Sequence, residues 1–311
     1  MPVTPLPAPS LSAQAAAPLA DRRALDFTSE FLAQQGLTLD DVLREVDVRP
    51  GEVLAVVGSV ADGLANRLSD LDFLLIGSRR QAGHMIFRQD GQESIVFRIN
   101  NDLEVNIDYI DIDDLDALAS AVRSALRPDP EDGPVQNQLT DSQVTLLHRI
   151  RSGGAVYGDL EPWRAKLKTK YLPDYMIVSN LILNYVHRED AIGELAAGDD
   201  ENAVYVMAYA MGFLATLLLA HAGETNNKRW WKWKLLRRVG DVVQPGVVTR
   251  LQRYMLPPMD ADARTLVLEA SQFCDEVIEN CLVARPHLAQ TVDAFIDRVK
   301  FVTDLARVEE Q

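Results

Sequence analysis

Cysteine is nearly absent: the 311 residues include two, Cys274 and Cys281. Two thiols cannot build a disulfide framework, and they suit a reducing cytoplasm. Histidine is scarce as well. His84, His148, His187, His221 and His287 are scattered, with no pair at zinc-ligand spacing, so zinc chemistry is not expected. Positive charge is also in short supply, 31 basic side chains against 46 acidic ones giving a formal charge of −15. That balance disfavours broad binding to nucleic acid or to an anionic membrane surface, since both attract cations. It leaves nucleotides open, because a nucleoside triphosphate arrives with magnesium and carboxylates bind magnesium.

Signals for secretion or membrane insertion are equally thin. Residues 1–20 are studded with proline and alanine and carry no basic segment ahead of a continuous apolar run. They read as a disordered tail. The stretch from Ala203 to Ala222 holds no Asp, Glu, Lys or Arg and has membrane-spanning length. Its alanines, with Tyr205, Tyr209, Thr216 and His221, are read here as the central helix of a soluble bundle. The composition, 47% apolar and 25% charged, is enough to fill a core, and the length fits one large domain or two ordinary ones.

The first half alternates between helix and strand patterns. Helices are expected over 21–35 and 38–46, with Gly36 between them at a natural stop. Val53 to Val57 and Asp72 to Ile76 are short continuous apolar runs, which fit strands covered on both faces. Ser94 to Ile99 and Leu103 to Ile110 flank the polar turn Asn100-Asn101-Asp102 and suit a hairpin. A helix with an acidic first turn, carrying Asp111, Asp113 and Asp114, is expected over 111–126. The proline-rich run 127–134 is the clearest linker. Beyond it only helices are expected, at 140–152, 159–170, 174–190, 200–222, 228–239, 247–255, 260–284 and 288–307. The predicted architecture is α+β: a mixed sheet with helices over 21–135, then an all-helical bundle over 136–311.

Chemistry is concentrated between Val56 and Phe73. An apolar strand ends at Gly58-Ser59, a short helix is expected to follow, and a second strand opens with Ser69-Asp70-Leu71-Asp72. Side chains i and i+2 of a strand share a face, so Asp70 and Asp72 project together while Leu71 and Phe73 turn into the core. Two adjacent carboxylates repel unless a cation sits between them, and such hard oxygen donors suit magnesium. Gly58 permits close backbone approach, and amides at a helix start attract phosphate oxygens. A phosphate cradle beside a metal-binding carboxylate pair describes phosphoryl or nucleotidyl transfer.

Strand, Gly-Ser, about ten residues, Ser-Asp-apolar-Asp-apolar, then a downstream strand bearing an acidic side chain: over residues 50–112 this resembles the nucleotidyltransferase superfamily typified by DNA polymerase beta. Its small-molecule branch, the antibiotic nucleotidyltransferases, is similar more loosely through a helical second domain. The resemblance implies that Gly58, Ser59 and Ser69 contact the nucleotide and that Asp70 and Asp72 bind metal. It also implies a third carboxylate on a neighbouring strand. Glu104, Asn106 and Asp108 share one face of 103–110 by alternation; Asp108 is favoured, with Glu104 the other candidate. Asn106 lies between them, and at the third acidic position it would impair the enzyme. With two magnesium ions held by Asp70, Asp72 and Asp108, the implied reaction moves a nucleoside monophosphate, AMP from ATP, to a hydroxyl of a small acceptor such as an antibiotic, releasing pyrophosphate. Transfer to a protein or RNA end, and a degenerate nucleotide-binding module, are the alternatives. The expected partners are a triphosphate and a small acceptor, in the cytoplasm, with neither a long nucleic acid nor a membrane.

One basic, aromatic block interrupts the acidic chain at 226–238. Trp231, Leu235 and Val239 make a helical stripe that would anchor a bundle, and the same block offers Lys228 and Lys232 to the triphosphate. The run 151–158 is glycine-rich but lacks the Gly-Lys-Ser/Thr of a P-loop, so it is expected to be an interhelix loop. Arg164, Lys166, Lys168 and Lys170 are expected on a solvated helix face. His148, His221, Cys274 and Cys281 are expected to pack inside helices.

Overall fold

The apolar run Val53–Val57 forms strand β1, and all five of its residues are buried. A strand with no face toward water needs a continuous apolar pattern rather than an alternating one. Its neighbour β2 (Leu71–Gly77) is buried everywhere except at Asp72. In a computed structural model describing residues 19–77, 86–89, 92–99, 103–126, 138–243, 246–258, 261–289 and 291–292, both belong to a six-stranded sheet. The other strands are β3 (Ile86–Gln89), β4 (Gln92–Ile99), β5 (Leu103–Asp111) and β6 (Gly154–Tyr157), in the order β3-β4-β5-β2-β1-β6. β2 and β5 run parallel and the other neighbours antiparallel, so the sheet is mixed. The fold is α+β, as the sequence pattern predicts.

Helices α1 (Leu19–Gln34), α2 (Leu39–Leu43), α3 (Gly58–Ala61), α4 (Ile112–Leu126), α5 (Asp141–Ser152) and α6 (Glu161–Lys166) accompany the sheet. α1 packs on β1, β6, α3 and α5. Its Phe31 and Leu32 join Leu54, Val56, Phe73 and Val105 in one buried cluster. Thr38 and Thr140 open α2 and α5 with capping boxes, each cap worth about 1 kcal/mol.

Two expectations are corrected here. The first is the run 151–158, read as a loop in an all-helical half: it contains β6, the sheet's edge strand beside β1. A Cβ at Gly153 would meet the Arg149 carbonyl at 2.6 Å and the Val57 side chain at 2.9 Å, so glycine lets the chain leave α5 directly against the sheet. Four residues are too few to announce a strand by pattern. The second is Arg164, which is buried rather than solvated. It donates to Asp21 at 2.5 Å, to Glu161 at 2.5 Å, and to the carbonyls of Ile150 and Gly153 at 3.0 and 2.6 Å. A guanidinium is buried only when its fork of donors is satisfied, and these four acceptors do that.

Contacts divide the chain into two units, the first within 1–123 and 139–170, the second within 124–138 and 171–311. The first therefore extends past the division at 135 expected from the linker, because α5 and β6 pack on the sheet. The second unit is helical among its described residues: α7 (Leu172–Ala197), α8 (Asp200–His221), α9 (Lys232–Val243), α10 (Val247–Met255) and α11 (Ala263–Ala284). α8 is long and apolar enough to cross a membrane by length and composition, with a mean hydropathy of 2.0, and most of it is buried. Within the unit it packs against α7, α9, α10 and α11, as the central helix of a bundle does. Cys274 and Cys281 are free and buried on α11. The proline-rich tail over 1–18, the turn 100–102, the linker 127–134 and the stretch 293–307 lie outside the described residues.

Candidate active site

β1 delivers the chain to Gly58, whose φ of +74° lies in the left-handed region that side chains disfavour. A Cβ there would fall 2.3 Å from the Asp72 Oδ2, so the backbone at Gly58 lies directly against that carboxylate. Ser59 follows in α3 and its carbonyl accepts from Leu64 N–H at 2.8 Å, closing the turn after the helix. Asp62, just past α3, contacts the His148 Nε2 at 3.0 Å, both side chains being buried.

The connection into β2 is shaped by Asn66 and Ser69. The Asn66 side chain accepts from Leu68 N–H at 2.8 Å, and the Ser69 hydroxyl accepts from Asn66 N–H at 2.9 Å. Ser69, a nucleotide-contact candidate from the sequence, thus sets the turn that presents Asp70. Strand alternation then places Asp70 and Asp72 together, with Leu71 and Phe73 fully buried on the opposite face. Partial burial raises the Asp70 pKa above its ordinary value, and the Glu104 charge adds to that effect. Asn106 and Arg98 pull it back down.

The parallel register of β2 and β5 decides what stands beside the pair. Asp72 is matched with Asn106, and Leu74 with Asp108. The Asn106 Nδ2 lies 3.2 Å from Asp72 Oδ1 and 3.4 Å from Asp70 Oδ2. Asp108, the favoured third carboxylate, sits one pleat further along and accepts from the Ser94 hydroxyl and the Arg149 guanidinium. Glu104, the other candidate, accepts from Arg98 at 3.1 Å. The three groups that converge are therefore Asp70, Asp72 and Asn106. Arg149 carries no signal in the sequence, since its bond to Asp108 spans 41 positions.

Residues 39–128 match the family described as the nucleotidyltransferase domain. The chain carries a nucleotidyltransferase domain. The Gly58 turn, the aspartate pair and Asn106 all fall within the matched residues. No curated protein matches the chain. Among solved structures it is similar to a nucleotidyltransferase-like protein from Exiguobacterium sibiricum 255-15, at TM-score 0.41 and 12% identity, over 80% of this chain and 72% of that one.

The nucleotidyltransferase domain sets two carboxylates side by side, Asp72 on β2 and Asp70 just ahead of it, with backbone pressed against Asp72 where a Cβ would intrude. Donor chemistry and spacing fit magnesium. Among the described residues, no group of three or more His, Cys, Asp or Glu side chains is placed to hold a metal. Lys228 and Lys232 belong to the second unit. The Lys228 ammonium lies 5.7 Å from the centre of the Trp230 ring. Lys232 donates to the Gly212 carbonyl at 2.9 Å, and its burial, with the charge of Arg229, lowers its pKa to about 8.

Proposed function

We propose that the nucleotidyltransferase domain moves a nucleoside monophosphate, AMP from ATP, to a hydroxyl group of a small-molecule acceptor such as an antibiotic or natural product. The observation that carries this reading is the close approach of the Gly58 backbone to Asp72, the strand-borne member of the carboxylate pair. Asp70 and Asp72 would hold magnesium, which supplies positive charge to the triphosphate oxygens. Gly58 and Ser59 bring backbone close enough for amides to meet phosphate. Ser69 keeps Asp70 in place through its bond to Asn66. The acceptor oxygen forms its bond to the α-phosphorus, the bond to the bridging oxygen breaks, and pyrophosphate leaves with the electron pair while the hydroxyl proton passes to solvent. Asp108 is already engaged by Arg149 and Ser94, so no step is assigned to it.

The −15 charge supports a small acceptor over a long nucleic acid. Two free thiols fit a cytoplasmic setting. A nucleotide-binding module without transfer is the second reading, favoured by Asn106 beside the pair.

The test is magnesium-dependent binding of ATP, GTP, CTP and UTP by calorimetry, followed by mass spectrometry of candidate acceptors incubated with the protein and the tightest triphosphate. Asp70→Asn and Asp72→Asn are each expected to abolish the nucleotidyl mass gain while leaving the circular-dichroism spectrum unchanged. Full transfer by either variant sinks the assignment; triphosphate binding with no transfer to any acceptor class favours the second reading.

A further inference from the structure

We propose that Arg98 binds the phosphate chain of the nucleoside triphosphate, exchanging Glu104 for a phosphate oxygen when substrate arrives. The proposal rests on the reading that the face carrying Asp70 and Asp72 takes the triphosphate. Register puts Arg98 on that face. Asn106 pairs with Asp72 across β2 and β5, and Glu104 stands two residues before Asn106, as Asp70 stands two before Asp72. Arg98 pairs directly with Glu104 across β4 and β5. Residues opposite one another on neighbouring strands share a face, and two strand spacings put the Arg98 backbone about 10 Å across the sheet from β2. The Arg98 and Glu104 charges both act on Asp70.

Strands β2, β5 and β4 form the floor of this face, and Arg98 is the one basic residue in any of them. Its side chain is 63% exposed and donates to Glu104 at 3.1 Å. An ion pair so open to water contributes little to stability, and its partners separate readily. Arg149, which reaches Asp108 on the same face from α5, is by contrast 13% exposed and held in a largely dry setting. Arg98 is therefore the guanidinium able to move. Its fork suits a phosphate as well as a carboxylate, donating two parallel hydrogen bonds to either. The triphosphate brings several anionic oxygens to a face that already carries Asp70, Asp72 and Glu104, and Arg98 offsets part of the repulsion between them. Glu104 keeps the guanidinium at the edge of the site until phosphate competes for it.

Calorimetric titration of the full chain with a non-hydrolysable ATP analogue and magnesium tests this. Arg98→Gln is expected to weaken binding by about tenfold or more, the loss of a charge-assisted hydrogen bond. Its melting point is expected to match wild type, because the ion pair it breaks is exposed. Glu104→Gln is expected to bind the analogue more tightly than wild type, since Arg98 is released and one repelling carboxylate is gone. Arg44→Gln removes a similarly exposed guanidinium, paired with Asp41 on α2, and is expected to bind as wild type does. Equal binding by Arg98→Gln and wild type, a matching loss in Arg44→Gln, or weaker binding by Glu104→Gln overturns the proposal while the nucleotide-binding reading stands. A markedly lower melting point in Arg98→Gln, the mark of a structural pair, overturns it equally. No analogue binding by wild type instead removes the reading on which it rests.

Discussion

His148 and Asp62 meet at 3.0 Å in the interior of the first unit, and the contact ties the segment that begins at Gly58 to helix α5. The next residue of that helix, Arg149, reaches Asp108 on β5. Adjacent positions on one helix therefore brace both flanks of the aspartate pair. Removing the imidazole takes a hydrogen-bonding partner from a buried carboxylate, which costs about 1–3 kcal/mol. His148→Ala is expected to lower the unfolding free energy by that amount, moving the denaturation midpoint down, and to weaken triphosphate binding. An unchanged midpoint would show that the contact does not hold α3 in place.

Among the described glycines, Gly58 is the one where an added Cβ would make the closest contact. Alanine there would suffer twice, from the left-handed φ of +74° and from a Cβ 2.3 Å from Asp72 Oδ2. The backbone strain alone is about 1–2 kcal/mol. Gly58→Ala is expected to fold with reduced stability and to lose Mn2+ binding by displacing the Asp72 carboxylate. Calorimetric titration of the folded variant checks this, and metal affinity equal to wild type would contradict it.

Lys232 makes stability pH-dependent. Its folded pKa of about 8 lies below the ordinary 10.5, so between those values the unfolded chain holds more protons than the native one. Stability from this group therefore rises with pH across that window, and the full penalty is present below it. Lys232→Met is expected to raise the urea midpoint at pH 7 and to give a progressively smaller gain toward pH 10. A gain that does not shrink with pH would refute the assignment of the penalty to a buried ammonium.

The two cysteines should be inert. Burial pushes both thiols up to about 11, so at pH 8 only about one in a thousand is thiolate. An aromatic disulfide reagent is expected to leave both unmodified in the native protein and to modify both in denaturant. Rapid reaction of either in the native state would place it on a mobile or open surface.

Much of the fold can be read from local pattern. The apolar runs of β1 and β2, the alternation of β5, and the apolar stretch of α8 each report their own burial, because burial selects residue type position by position. The aspartate pair and the Gly58 turn are legible for the same reason: their residues lie within one strand-turn-strand segment. Short β6 is not legible, nor is the buried role of Arg164, whose acceptors include Asp21, 143 positions away.

The sequence by itself determined the chemistry on offer: two acids two residues apart, a glycine turn, and three polar residues alternating on the next strand. Only the tertiary structure decided which of those three stands beside the acids. Register between β2 and β5 is a relation across more than thirty positions, set by how two buried strands pack, and a slip of one residue turns every side chain to the other face. The register found matches Asp72 with Asn106, while Arg149 arrives from a third element to neutralise Asp108.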